Sequence, residues 1–216
     1  MSLIDLARDQ LAADLRGALR GTLTTRSDPG YDQLRQVYNG AIDRHPWAVV
    51  RVADVADVIG CVNVARDRGI PLAVRGGAHH GAGFGAWDDA LVIDFANLRS
   101  TTVDPVARTV RADAGCRWGD VDHATGAFGL ATPSGFVSTT GVAGLTLGGG
   151  VGYLTRHFGL TIDNLLSVDL VLADGSLVTA DADRHPDLFW AVRGGAATSG
   201  WPRRSPSAVT RWGRAV

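Results

Sequence analysis

Along residues 3 to 20 the apolar side chains Leu3, Leu6, Ala7, Leu11, Leu15 and Leu19 recur at steps of three and four, with Asp and Arg between them. That spacing draws one stripe on a helix and predicts an amphipathic helix that Gly21 stops. Residues 22 to 46 are polar and irregular. A run rich in β-branched residues at 48–52 then predicts a strand. Asp54 suits the cap of a helix reaching Arg68, with Val55, Val58, Ile59, Val62 and Ala65 on one face. Gly69 ends it, and Leu72-Ala73-Val74-Arg75 is the next strand. Further strands are expected at 91–94 and 109–113, and a helix at 118–127. Residues 131–152 read as a long Gly/Ser/Thr-rich loop with short apolar pieces. A strand at 166–172 turns through Ala173-Asp174-Gly175-Ser176, a two-residue hairpin on Asp-Gly, into Leu177-Val178-Thr179. Residues 187–192 form a short helix or turn before Gly194-Gly195. No internal repeat is present. The expected fold is α+β: two mixed α/β subdomains facing each other across glycine-rich loops.

Composition narrows the classes. The chain has 216 residues, enough for one well-packed domain or two small subdomains sharing a core. Its 45% hydrophobic and 20% charged residues are ordinary for a globular protein. A net charge of -1, with no basic run, gives no reason to expect a nucleic-acid or anionic-membrane partner. All basic residues are Arg and all acidic ones Asp, so exposed helix faces lean on Ala, Leu and Arg. Two distant cysteines, Cys61 and Cys116, make neither a disulfide framework nor a metal-ligand spacing. The N-terminal residues lack a signal-peptide pattern, and no apolar run approaches the roughly 20 residues of a membrane span. A soluble cytoplasmic protein is the expectation.

The 28 glycines are clustered, and the clusters carry the chemistry. Arg75-Gly76-Gly77-Ala78-His79-His80 follows a strand directly, with Gly83 a little further on. Glycines there let backbone N–H groups approach a ligand, and successive N–H groups turned one way make an anion nest suited to a pyrophosphate. The second cluster runs from Pro133 through Gly135, Ser138, Thr139, Thr140, Gly141 and Gly144 to Gly148, Gly149 and Tyr153. It pairs flexible backbone with three small hydroxyls able to donate to phosphate or to a polar ring. A structureless stretch of this length within a domain is usually functional. Neither cluster is the strand–GxGxxG–helix dinucleotide fingerprint, and no Lys completes a P-loop.

Eight segments occur in an order that resembles one family. They are Ala73-Val74-Arg75-Gly76-Gly77-Ala78-His79, Leu91-Val92-Ile93-Asp94, Thr109-Val110-Arg111-Ala112, Trp118-Gly119-Asp120-Val121, Ala131-Thr132-Pro133-Ser134-Gly135, the run from Gly141 to Gly150, Gly159-Leu160-Thr161-Ile162-Asp163-Asn164, and the run from Asp187 to Gly195. Together, over residues 37–195, they resemble the FAD-binding domain of bacterial berberine bridge enzyme-like oxidases, in the p-cresol methylhydroxylase / vanillyl-alcohol oxidase superfamily. The resemblance implies FAD sandwiched between two α+β subdomains, with its pyrophosphate on the first loop. His79 stands where that family's histidine bonds the flavin 8α-methyl group, and His80 is the weaker candidate. Some members add a second bond from a cysteine; that position is Val137, so double tethering is not expected. The implied chemistry is an FAD-dependent oxidoreductase taking a hydride from an alcohol or amine carbon of a small-molecule substrate. A flavin- or nucleotide-binding module without a redox substrate, or an inactive remnant, are the alternatives.

After Gly195 the resemblance stops. Where the family continues Gly-Asn-Phe-Gly-Val, residues 196–216 carry two Pro, four Arg and two Trp without a period of 2 or 3.6. Read one base out of frame from the third base of the Ala197 codon, the fixed codon bases allow Asn-Phe-Gly-Val-Ala-Thr-Ser-Phe. The expectation is therefore an N-terminal helical lead (1–36), an FAD-binding domain (37–195) and a frameshifted tail (196–216), with a substrate domain and the family's catalytic base missing. His45, His123, His157 and His185 lack partner spacing and are expected to be structural.

Overall fold

The computed structural model describes residues 3–195 and 207–209. Helix α1 (Leu3–Ala18) leads into β1 (Thr22–Thr25), the one-turn α2 (Tyr31–Leu34) and β2 (Ala48–Arg51). Helix α3 (Val55–Arg68), β3 (Leu72–Arg75) and β4 (Leu91–Asp94) complete the first half. The sheet order is β1-β2-β4-β3. Strands β2 and β3 run parallel to the central β4, and β1 is antiparallel on the edge. Strand β4 is buried on both faces, which is why Leu91-Val92-Ile93 reads as an unbroken apolar run rather than an alternation, closed by the buried carboxylate of Asp94.

The second half is built from the hairpin β5 (Thr101–Asp104) and β6 (Thr109–Ala112), helices α4 (Trp118–Gly126), α5 (Val142–Leu147) and α6 (Thr155–Phe158), and a 3-10 turn at Thr161–Asn164. Strands β7 (Ser167–Val171) and β8 (Leu177–Asp181), helix α7 (Pro186–Gly195) and the short β9 (Ser207–Val209) follow. Their sheet order is β8-β7-β9. This is the α+β fold with two mixed halves that the sequence leads one to expect.

Each half has its own core. Val50, Val52, Val58, Cys61, Leu91, Ile93 and Phe95 fill the first, between the four-stranded sheet and α1 and α3. Trp118, Val121, Val142, Leu165, Val168, Leu170 and Phe189 fill the second. The separation is incomplete, because Ala143 of α5 and Val171 of β7 pack into the first core.

Several local expectations change. Of the predicted stripe of α1, Leu15 is buried and Leu11 and Leu19 are half-buried, with Ala12 buried beside them, whereas Leu6 is 52% exposed and Ala7 is exposed. The polar segment 22–46 contains β1 and α2. Asp57 anchors its start, its carboxylate accepting backbone N–H bonds from Arg20, Gly21 and Ala53. The 131–152 loop contains α5. The β7–β8 turn has three residues, Ala173, Asp174 and Gly175, between the closing pair Leu172 and Ser176, with Gly175 at φ 87°. That is the loop with a left-handed last residue rather than the two-residue one. Of the tail, only the backbone of Ser207–Val209 falls within the described residues, paired antiparallel to β7. The expected frameshift at 195–197 otherwise concerns residues outside them.

Candidate functional site

Strand β3 delivers the first glycine loop to the seam between the halves. Arg75 closes that strand with its guanidinium buried on the Asp94 carboxylate (2.7 Å), and Arg51 reaches the same oxygen at 3.4 Å. Arg75 thus supports the loop from below. A Cβ on Gly76 would lie 2.8 Å from the Ala114 carbonyl oxygen. On Gly77 it would meet the Gly141 nitrogen at 2.3 Å, and one on Gly141 would meet the Gly77 nitrogen at 2.4 Å. The two loops therefore touch backbone to backbone, a distance only glycine permits. Ala78 follows at φ 59°, in the left-handed region that a residue with a Cβ rarely occupies, and such a strained position within a loop is characteristic of ligand sites.

His79 sits at this junction, half-buried. Its Nε2 lies 3.3 Å from the Thr139 hydroxyl and its Nδ1 3.5 Å from that of Thr140. Its ring stacks on Tyr38 at 4.0 Å, with planes inclined by 16°. Burial, and then the positive charge of Arg117, hold the imidazole below its ordinary range, a hydrogen bond to the Thr139 backbone opposing them. That direction favours the neutral ring, which has a lone pair to offer, near neutral pH. His80 points elsewhere: it is exposed, stacks on Phe84 at 4.3 Å, and its Nδ1 accepts the Ala82 N–H.

The second loop is pinned from α4 and α5. Gly119 donates to the Ser138 carbonyl (2.9 Å) and Trp118 to that of Thr140 (3.0 Å). Pro133 is buried and Gly135 abuts Leu145. Gly144 and Gly148 are exposed, and Gly149 has φ 109°. Two buried hydroxyls, those of Thr132 and Thr161, have no hydrogen-bond partner among the described residues, and Thr161 lies against Gly150. Tyr153 is 83% exposed and rests edge-on against Phe136 at 4.9 Å, away from His79 in its contacts.

The structure thus brings Gly77, His79, Thr139, Thr140 and Gly141 together. Gly83 lies further along the first loop, against Ile42. Sequence reasoning misses Tyr38, Arg117, Thr132 and Thr161. Tyr38 carries a faint signal as an aromatic in a polar stretch at the start of the matched segment. Thr132 and Thr161 lie within two of the family-like segments without being singled out there. Arg117 has no signal, since its effect on His79 depends on a contact far along the chain. Cys116 is fully buried and donates to the Ser100 carbonyl, as expected of a small core residue. Among the described residues no cluster of metal-ligating side chains occurs, and no helix is long and apolar enough to cross a membrane.

Comparison with known proteins fits this geometry. The family model described as FAD binding domain matches residues 46–181. FAD-linked oxidoreductase YgaK of Bacillus subtilis is 36% identical over 181 residues, covering 82% of this chain and 40% of its own length. (R)-6-hydroxynicotine oxidase of Paenarthrobacter nicotinovorans is 33% identical, with 85% and 40% covered. Among solved structures, 6-hydroxy-D-nicotine oxidase from Arthrobacter nicotinovorans superposes with a TM-score of 0.81 at 31% identity, over 90% of this chain and 43% of that one. A berberine bridge enzyme-like protein of Physcomitrella patens gives 0.85 at 31% identity, over 95% and 44%. The chain therefore spans about two-fifths of the length of these relatives.

Proposed function

Since the chain belongs to the FAD binding domain family, we propose that it holds FAD along the seam where its two glycine loops meet and serves as the cofactor half of an oxidoreductase. The observation that carries this reading is the Gly77–Gly141 contact, which sets two sets of backbone N–H groups and the His79 ring around one junction. The residues fit the group. The space a Cβ would fill is reserved for close backbone approach, and two buried hydroxyls stand unpaired beside the second loop. Such orphaned donors are costly, on the order of 1–3 kcal/mol each, unless a ligand or water satisfies them.

In this reading the N–H groups of Gly76, Gly77 and Ala78 receive the pyrophosphate, with no metal or Lys required. Ser138, Thr139 and Thr140 present hydroxyls to the polar edge of the ring system. His79 supplies a neutral nitrogen for covalent attachment at the flavin 8α carbon, and Val137 offers no thiol for a second bond. Bound FAD would supply a two-electron acceptor for a hydride leaving an alcohol or amine carbon of a small molecule. The protein's part is to hold the ring and keep water from it.

The test is a visible absorption spectrum of the purified chain incubated with FAD, before and after acid precipitation. Yellow colour that stays with the pellet in the wild type, and moves to the supernatant in His79→Ala, is the expected result. Colour in the supernatant for both would leave FAD binding intact and remove the covalent bond. A colourless protein in excess FAD would overturn the reading altogether.

A further inference from the structure

The polar segment before β2 clasps the first glycine loop. The Tyr38 N–H donates to the Ala78 carbonyl at 3.0 Å, the Asn39 side-chain amide donates to the Gly81 carbonyl at 2.8 Å, and Ile42 fills the space in front of Gly83. This clasp brings the Tyr38 ring flat onto His79. Tyr38 is 68% exposed, so its ring is not held there by burial in either core. Its phenol has no hydrogen bond among the described residues, which leaves the ring face as the part engaged. An imidazole between two hydroxyls can still swing about χ1 and χ2. A parallel aromatic face 4.0 Å away restricts that swing and keeps both ring nitrogens in the plane of Thr139 and Thr140.

We propose that Tyr38 is a positioning residue for flavin attachment, its ring face fixing the His79 imidazole in the orientation from which a nitrogen reaches the flavin methyl carbon. The inference rests on the reading that FAD attaches at His79. Attachment forms one N–C bond and breaks the imidazole N–H and one C–H of the methyl group. The two electrons and two protons released pass to dioxygen, which leaves as hydrogen peroxide, so the ring ends oxidised. Tyr38 takes no proton and no electron. Its contribution is geometric, and misplacement of a reacting group by about 1 Å costs about 100-fold in rate.

The experiment uses the full chain produced free of flavin in riboflavin-starved cells and then mixed with saturating FAD in air. Acid-stable flavin is followed with time for the wild type, Tyr38→Phe, Tyr38→Leu and Tyr38→Ala, and FAD affinity is measured in parallel. The expected result is equal affinity in all four, attachment within about twofold of the wild type for Phe, and attachment about 100-fold slower for Leu and Ala. Equal rates in Ala and wild type would overturn the inference and leave attachment at His79 standing. A Phe variant as slow as Ala would assign the effect to the hydroxyl, also against the inference, and loss of FAD affinity in Ala would make Tyr38 a binding residue instead. Acid-labile flavin in the wild type would overturn the attachment reading and this inference with it.

Discussion

His79 is bracketed by two hydroxyls, a stacked ring and, at longer range, the Arg117 guanidinium. Only a neutral imidazole can act as a nucleophile, so under the proposed attachment its protonation would set the pH range of the reaction. Burial and the Arg117 charge both lower its pKa, and the neutral form therefore persists to a pH below the ordinary imidazole value of about 6.5. Attachment rates measured from about pH 5 to about pH 8 should be level through neutrality and fall only on the acid side of that value. Arg117→Gln removes the second of the two causes, and its profile should shift toward higher pH. An unshifted profile would show that the charge at Arg117 does not reach the ring. Ala78 belongs to the same scale: its φ of 59° lies in the left-handed region, which a β-branched residue could hold only under strain.

Among the elements, Asp57 carries the most structure for one side chain. It lies in the first turn of α3, buried, and its carboxylate takes the N–H groups of Arg20, Gly21 and Ala53, joining the end of α1 and the start of β1 to the β2–α3 turn. Asp57→Ala would strand three donors and should cost on the order of 3 kcal/mol, read as a lower urea midpoint at unchanged slope. A loss under about 0.5 kcal/mol would mean that water replaces the carboxylate without penalty. The same region marks the limit of what pattern reveals. Helix α3 is legible to the residue, because Asp54 accepts the Asp57 N–H at one end and Gly69 turns left-handed at φ 64° at the other. Both signals are local chemistry. Strand β1 and helix α2 are not legible, since four residues hold no period and their place is fixed by Asp57 and by the Tyr31 hydroxyl on the Pro46 carbonyl. Helix α5 hides for another reason: its six residues sit among glycines, and its buried Val142, Ala143, Thr146 and Leu147 span less than two turns. In the site, both loops and His79 are legible from glycine clustering and resemblance. The Tyr38 stack is not, because it joins residues that only the folded chain brings together.

For the molecule as a whole, the seam between the cores is where substitution should separate binding from folding. Gly77→Ala inserts a methyl 2.3 Å from the Gly141 nitrogen, and the loops must part. Overpacking of this kind costs about 1–3 kcal/mol, so FAD affinity should fall by about 5-fold to 150-fold while the far-ultraviolet spectrum holds. Gly60→Ala on α3, where an added methyl meets nothing within 4 Å, is the control and should bind FAD normally. Equal affinity in the two variants would show that the close approach of the loops is dispensable. The seam also has a thermodynamic side. Ala143 and Val171 come from the second half of the chain but fill the first core, so neither half can melt without opening the other's packing. A cooperative unit of that kind would share its ligand: if FAD bridges the two loops as proposed, the free energy gained there would be distributed over both cores. On the proposed reading the cofactor is the last piece of the fold: before it is tethered, its free concentration should add to the protein's resistance to unfolding, and once tethered that gain should no longer depend on concentration.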